Sequence, residues 1–198
     1  MIRADAPLAL AVPRFATPVY QFALVIAGSL LLTASAKLQV PFWPVPMTMQ
    51  TYVVLVLGMA LGPRLGAATV ALYLAEGAFG LNVFSGTPER GIGLAYMAGP
   101  TGGYLVGFLV AAIAVGRMSE RGFDRTVPGA LMSAVLGMGL IYMFGLAWLA
   151  TLIGVSKAIT FGALPFLLGD AIKILLVMAT LPLAWSALGR RRGSGSPR

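Results

Sequence analysis

Cysteine and histidine are both absent from this 198-residue chain, and aspartate and glutamate together number only 6. Without cysteine there is no disulfide framework, and without either residue the usual zinc and iron ligand sets cannot be built. Nucleophilic catalysis that leans on a histidine base is equally closed. No Gly-Lys dipeptide occurs, so the chain carries no P-loop and does not itself hydrolyse ATP. Charged residues make up 10% of the sequence, against roughly 25% in soluble domains.

What the chain has instead is apolar surface. Hydrophobic residues account for 59%, and mean hydropathy is +0.90. A helix needs about 20 apolar residues to cross a bilayer, so there is room for several crossings and little else. Six candidate spans follow, at roughly 18–38, 47–62, 64–80, 101–117, 128–153 and 161–188, in one all-α polytopic membrane domain. Gly62-Pro-Arg-Leu-Gly66 joins the second and third as a tight turn, because proline breaks the helix. The fifth and sixth exceed the usual length, which predicts tilt or ends that leave the hydrocarbon. Pro182 is placed to kink the sixth. The stretch 189–198 reads as a short, disordered, solvated tail.

The formal charge of +8 does not point to nucleic acid, because the basic residues sit at span ends rather than on one soluble face. Arg3, Arg14, Arg64, Arg117, Arg121, Arg125, Arg190, Arg191, Arg192 and Arg198 fall on one side of the bilayer, and Lys37, Arg90 and Lys157 on the other. The positive-inside rule then puts both termini in the cytoplasm and the loops near 40, 90 and 157 outside. Arg3 and Arg14, an apolar run and Ala34-Ser35-Ala36 also have the order of a cleavable signal peptide. The run is span-length, however, and its removal would leave the termini on opposite sides, so retention is expected.

Asp170 and Lys173 are the only two charges that share one long apolar run. A spacing of three puts them on one helix face, and a charge near the centre of a membrane helix costs about 2.5–3.5 kcal/mol on insertion scales. Such groups face a cavity or each other. The pair can serve as a self-neutralising link, or it can bind a ligand group that both donates and accepts, such as an amide or urea. Glu76 is the other acid inside a span; it either contacts a ligand or reaches the interface. In the first span Ala23 and Ala27 repeat at small-xxx-small spacing, fit for bundle packing or for docking another membrane protein.

The outer loops hold the remaining chemistry. Lys37-Leu-Gln-Val-Pro-Phe-Trp-Pro-Val-Pro46 has three prolines within six residues, which favours extended chain. Trp43 there is either an interfacial anchor or part of a lid over an outward pocket. The segment Gly80–Tyr104 is too polar to span and too apolar to be freely solvated. Asn82, Glu89 and Arg90 are its side chains most able to bind something. It ends at Gly99-Pro-Thr-Gly-Gly103, where a helix N-terminus offers unpaired N–H groups to a carboxylate. Gly103 and Gly107 read as close-packing positions, whereas Thr101 and Tyr104 serve packing or the site equally well.

Three ordered motifs, Pro44-Val-Pro-Met-Thr-Met-Gln-Thr51, Gly99-Pro-Thr-Gly-Gly-Tyr-Leu-Val-Gly-Phe108 and Gly169-Asp-Ala-Ile-Lys173, resemble the BioY family. These are the biotin-specific substrate-binding subunits of energy-coupling factor transporters, and the resemblance extends over nearly the whole chain. It implies an S-component-like bundle of six helices in the bacterial cytoplasmic membrane, with a biotin site open to the outside. It also implies two cytoplasmic ABC ATPases and a scaffold membrane subunit as partners, the scaffold contacted by the first helix through small residues such as Ala23 and Ala27. Biotin is then cargo; no cofactor, metal or catalytic residue is implied. On the resemblance Asp170 meets the ureido N–H, Lys173 its carbonyl, and Tyr104 lines the pocket. Trp43, Phe84 and Thr101 could complete its walls, and Arg90, on charge alone, could hold the carboxylate. At Gly80-Leu-Asn-Val-Phe84 the chain departs from the frequent Gly-Leu-Pro-Val-Phe, which bears on Asn82 as a site residue. The alternatives are a self-sufficient secondary transporter, for which no inverted repeat of broken helices is found, and more remotely an intramembrane enzyme.

Overall fold

Proline at the first helical position lacks the N–H that a helix start leaves unpaired, and it opens α1 (Pro18–Lys37). The computed structural model describes Leu8 and residues 17–40, 43–85 and 92–193, with side chains through 187. After α1 come two short strands, β1 (Gln39–Val40) and β2 (Met47–Thr48), paired antiparallel with Gln39 opposite Thr48 and Val40 opposite Met47. Residues 43–46 of the proline-rich stretch between them are not helical, as the prolines favour. Helix α2 (Gln50–Ala78) follows, then the short α3 (Leu94–Met97) and α4 (Gly102–Glu120). A 3-10 turn at Phe123–Arg125 leads to α5 (Val127–Ile153), whose Thr126 cap accepts from the Gly129 N–H at 3.2 Å. The chain ends with α6 (Val155–Gly162), a second 3-10 turn at Leu164–Phe166, and α7 (Leu167–Gly193).

α2 is two helices folded against each other. Gly62 leaves helical space at φ 78° and ψ 177°, and Pro63 follows it. The backbone reverses there, since a Cβ placed on Gly66 would lie 3.0 Å from the Gly58 Cα. A straight helix would separate those residues by about 12 Å. The halves, 50–61 and 63–78, match the expected turn at Gly62–Gly66, though the first begins at 50 because Met47 and Thr48 belong to β2. Among the described residues five helical stretches are long and apolar enough to cross a membrane, with α2 taken as one. Folded at Gly62, α2 makes an all-α bundle of six membrane-embedded segments.

Two expected boundaries need correction. The sixth span begins at Leu167 rather than 161, because Pro165 has no N–H to offer the Phe161 carbonyl and the chain passes through a 3-10 turn before restarting. The tail expected to be disordered from 189 is helical through Gly193.

Glycine sets how closely the layers approach. α4 lies between α2 and α5. A Cβ on Gly58 would stand 2.9 Å from the Ala112 backbone, and one on Gly107 2.9 Å from the Ile141 Cα. On Gly103 it would fall 2.3 Å from the Trp148 Cβ and 2.4 Å from the Phe144 carbonyl oxygen. The packing role expected for Gly103 and Gly107 is what the structure has. α1 packs chiefly on α2, with Gly28 and Ser29 buried while Ala23 and Ala27 face outward.

At the Arg-rich end, the 3-10 turn is fastened to α7. Trp185 Nε1 donates to Asp124 Oδ2 at 2.6 Å, and the Arg125 guanidinium lies 4.5 Å over the Trp185 ring. Asp124 is fully buried. Burial pushes its carboxyl pKa above the usual aspartate value, against the pull of the Trp185 hydrogen bond, its own backbone N–H and the Arg125 charge.

Gly103→Ala should destabilise by about 1–3 kcal/mol, since two backbone-anchored neighbours must move. Gly139→Ala, with nothing within 4 Å of the new methyl, should stabilise by about 0.5–1 kcal/mol; thermal unfolding in detergent reads both. For Asp124 the folded state keeps its proton to higher pH than the unfolded chain, so its contribution declines as pH rises from the ordinary aspartate range towards the raised folded value. Asp124→Asn retains the oxygen that Trp185 needs and should flatten the Tm-against-pH curve in that window without lowering Tm at pH 7. Asp124→Ala should lower Tm throughout.

Candidate functional site

Three helices begin at one cavity. Gln50 opens α2, Thr101 precedes α4 and Asp170 sits in the first turn of α7, and all three side chains line it. Helix N-termini carry partial positive charge, which favours a carboxylate or carbonyl there. The first half of α2, 12 residues or about 18 Å long, is too short to reach across the bilayer core. Its early end leaves space that the β1–β2 hairpin covers through Val45–Thr48. Counting its mouth, the cavity holds about 590 Å³ of atom-free space.

At one end lie the charges. Lys173 Nζ donates to Asp170 Oδ1 at 2.8 Å, and both side chains are more than nine-tenths buried. Tyr142 of α5 donates its hydroxyl to Asp170 Oδ2. An ammonium has three donors and an ionised carboxylate about four acceptor positions, so each partner keeps capacity for a ligand. Because α7 begins at Leu167, the pair lies in its first two turns and not at mid-span as the apolar run implied. The carboxylate thereby gains the favourable end of the helix dipole.

The walls are aromatic. Phe84 stacks on Tyr96 with centroids 4.9 Å apart and 16° between planes, and meets Tyr73 edge-on at 5.4 Å. A Cβ on Gly77 would lie 2.0 Å from the Phe84 ring, so only glycine there lets that ring settle. Gln50 Nε2 donates to the Tyr73 hydroxyl at 2.7 Å, which donates to the Val83 carbonyl at 3.2 Å. Tyr104 donates to the Gly162 carbonyl at 2.8 Å and rests on Gly145, where a Cβ would fall 2.3 Å from the ring. Phe108 and Phe166 complete the apolar lining, and Ser85 meets the Tyr96 hydroxyl at 3.1 Å.

Of the residues singled out in the sequence, Asp170, Lys173, Tyr104, Thr101 and Phe84 come together around this cavity. Asn82 does not line it; its Oδ1 accepts from Lys37 Nζ at 2.9 Å. Trp43 is 64% exposed and meets Phe161 of α6 edge-on at 5.9 Å, outside the cavity wall. Glu89 and Arg90 lie outside the described residues. Glu76 accepts a hydrogen bond from buried Ser29 of α1, a third arrangement beside the two expected for it. Gln50, Tyr73, Ser85, Tyr96 and Tyr142 were not singled out. Gln50 lies within the Pro44–Thr51 motif, whereas nothing local marks Tyr142, between Ile141 and Met143.

Fold and cavity together define an all-helical membrane bundle with an aromatic-lined cavity headed by one charged pair. The chain belongs to the BioY family, whose family model matches residues 9–190. The "Probable biotin transporter BioY" of Pyrococcus horikoshii is 36% identical over 143 residues, 72% of this chain and 82% of that protein. The "Biotin transporter BioY" of Thermotoga maritima is 37% identical over 152 residues, 76% of this chain and 86% of that one. In fold, the chain is similar to the crystal structure of the S-component for biotin from an ECF-type ABC transporter, with TM-score 0.74 and 24% identity over 85% of this chain and 92% of that one.

The geometry of the pair predicts a non-additive mutant cycle. Lys173→Met alone leaves a buried carboxylate without its counter-charge and should destabilise the unliganded protein by about 3–5 kcal/mol. Asp170→Asn/Lys173→Met, which removes both charges, should recover most of that loss in thermal unfolding.

Proposed function

We propose that this chain captures biotin from outside the cytoplasmic membrane and, as the substrate-binding subunit of an energy-coupling factor transporter, delivers it inward. The observation that carries this reading is the Asp170–Lys173–Tyr142 cluster at the end of an aromatic cavity. A urea presents N–H donors and a carbonyl acceptor on adjacent atoms. Asp170 takes a ureido N–H and Lys173 donates to the carbonyl, with Tyr142 holding the carboxylate oriented. The apolar bicyclic body suits the faces of Phe84, Tyr104 and Phe108, and Thr101 with Ser85 and Tyr96 offers hydroxyls along the remaining wall.

Both termini lie in the cytoplasm on this reading, since the Arg-rich ends of the bundle belong there. The chain performs no chemistry; biotin is cargo, and no cofactor takes part. Energy comes from two ABC ATPases through a scaffold membrane subunit. Outward-facing Ala23 and Ala27 on α1 supply a small-residue face for close helix contact with that scaffold. The relatives named as biotin transporters and the match to the biotin S-component support this assignment.

Calorimetric titration of the purified protein with biotin tests the assignment. Saturable one-to-one binding is expected, weakened about tenfold or more by Asp170→Asn and by Lys173→Ala, the weight of a hydrogen bond to a charged group. Tyr142→Phe should weaken it less. Absence of biotin binding by the folded parent, or parent-like binding by both charge variants, would overturn the reading.

A further inference from the structure

Lys37, the last residue of α1, does not itself line the cavity and yet holds part of its wall. Its Nζ donates to Asn82 Oδ1 at 2.9 Å and to the Phe84 carbonyl at 2.7 Å. The Val83 carbonyl between them accepts from the Tyr73 hydroxyl at 3.2 Å. Three consecutive residues, 82 to 84, are therefore each held by a donor from another element. The segment they form has little regular hydrogen bonding of its own, and it supplies Phe84 and Ser85 to the cavity.

On its other side Lys37 runs directly into β1, and the β1–β2 hairpin supplies Val45, Pro46, Met47 and Thr48 to the same cavity. Lys37 thus ties segment 82–84 to the end of the helix that leads into the hairpin. The position suits a cation, since the C-terminal end of α1 carries partial negative charge. Exposed charged pairs contribute little on their own. Here one of the two acceptors is a backbone carbonyl in a part-buried setting, where losing its donor leaves a polar group unsatisfied.

We propose that Lys37 is a positioning residue that latches segment 82–85 to the β1–β2 hairpin and so sets how fast a ligand enters and leaves. This rests on the solute-binding reading above. A latch that favours the closed state equally with and without ligand changes capture and release together and leaves affinity nearly unchanged. A residue that contacts the ligand changes release alone. Because Lys37 rides on α1, a tilt of α1 away from α2 withdraws both of its hydrogen bonds at once. The helix whose Ala23 and Ala27 face outward is then also the helix that opens the mouth.

Two readouts on the full-length protein in detergent test the latch. Hydrogen–deuterium exchange of the ligand-free protein should show amides at 82–85 exchanging about five- to tenfold faster in Lys37→Ala, the effect of losing one or two hydrogen bonds from a charged donor. Amides in α4 and α5 should be unchanged. Stopped-flow measurement with biotin should show association and dissociation both faster in Lys37→Ala, with Kd moving much less than either rate. Lys37→Arg should restore both readouts. Asn82→Ala keeps the carbonyl bond and should fall between parent and Lys37→Ala; it carries the same test if Lys37→Ala does not fold. Unchanged exchange at 82–85, or faster dissociation with unaltered association, would overturn the latch. If the parent takes up no biotin, the functional reading fails while the exchange comparison still decides the role of Lys37.

Discussion

A carboxylate and an ammonium held 2.8 Å apart in a bundle surrounded by lipid constrain almost everything near them. Neither charge is tolerable alone there, and even as a pair they need further hydrogen bonds to offset desolvation. Tyr142 supplies one such bond from α5. The start of α7 at Leu167 supplies a favourable dipole. Both side chains line the cavity, and on the proposed reading their remaining donors and acceptors suit a ligand that donates and accepts on neighbouring atoms. An apolar pocket of the same size would accept far more molecules. On that reading the charged pair couples the stability of the bundle to the chemistry of its ligand.

Bringing α2, α4, α5 and α7 close enough to enclose such a space requires bare backbone at the contacts. Gly58 against Ala112, Gly107 against Ile141 and Gly145 against Tyr104 are all approaches that any side chain would block. Lipid offers no hydrophobic drive for helix association, so close van der Waals contact must provide it. The opposite surface of α1 is left unpacked, with Ala23 and Ala27 outward. One helix thus packs on the bundle through its Gly28–Ser29 side and leaves Ala23 and Ala27 outward beside Phe22 and Ile26.

Much of this was legible in the sequence because it is local. The Gly62–Pro63 reversal follows from one left-handed glycine and one proline, and the pairing of Asp170 with Lys173 follows from their spacing on a helix. α1, α4 and α5 fall within about three residues of their expected ends, the usual latitude of helix boundaries. The start of α7 was obscured because residues 161–180 read as one apolar run with only Pro165 to mark the break. Tyr142, Gln50 and Tyr73 were missed for a different reason. Their partners lie 28 and 23 residues away in sequence, and no local pattern encodes which apolar faces meet. Asn82 shows the same limit: its side chain looked free for a ligand until folding brought Lys37, 45 residues earlier, into reach.

The most direct test is an experimental structure with biotin bound. The account predicts the ureido ring at the Asp170–Lys173–Tyr142 end, with a ring nitrogen within hydrogen-bond distance of Asp170 and the carbonyl oxygen within reach of Lys173 Nζ. The valeryl tail should run towards Thr101 and Ser85. A ligand bound the other way round, with its carboxylate on Lys173 and its ureido ring by Ser85 and Tyr96, would contradict it. In that case Lys173 would be serving as a counter-ion, and the charged pair would not be the recognition element for a urea.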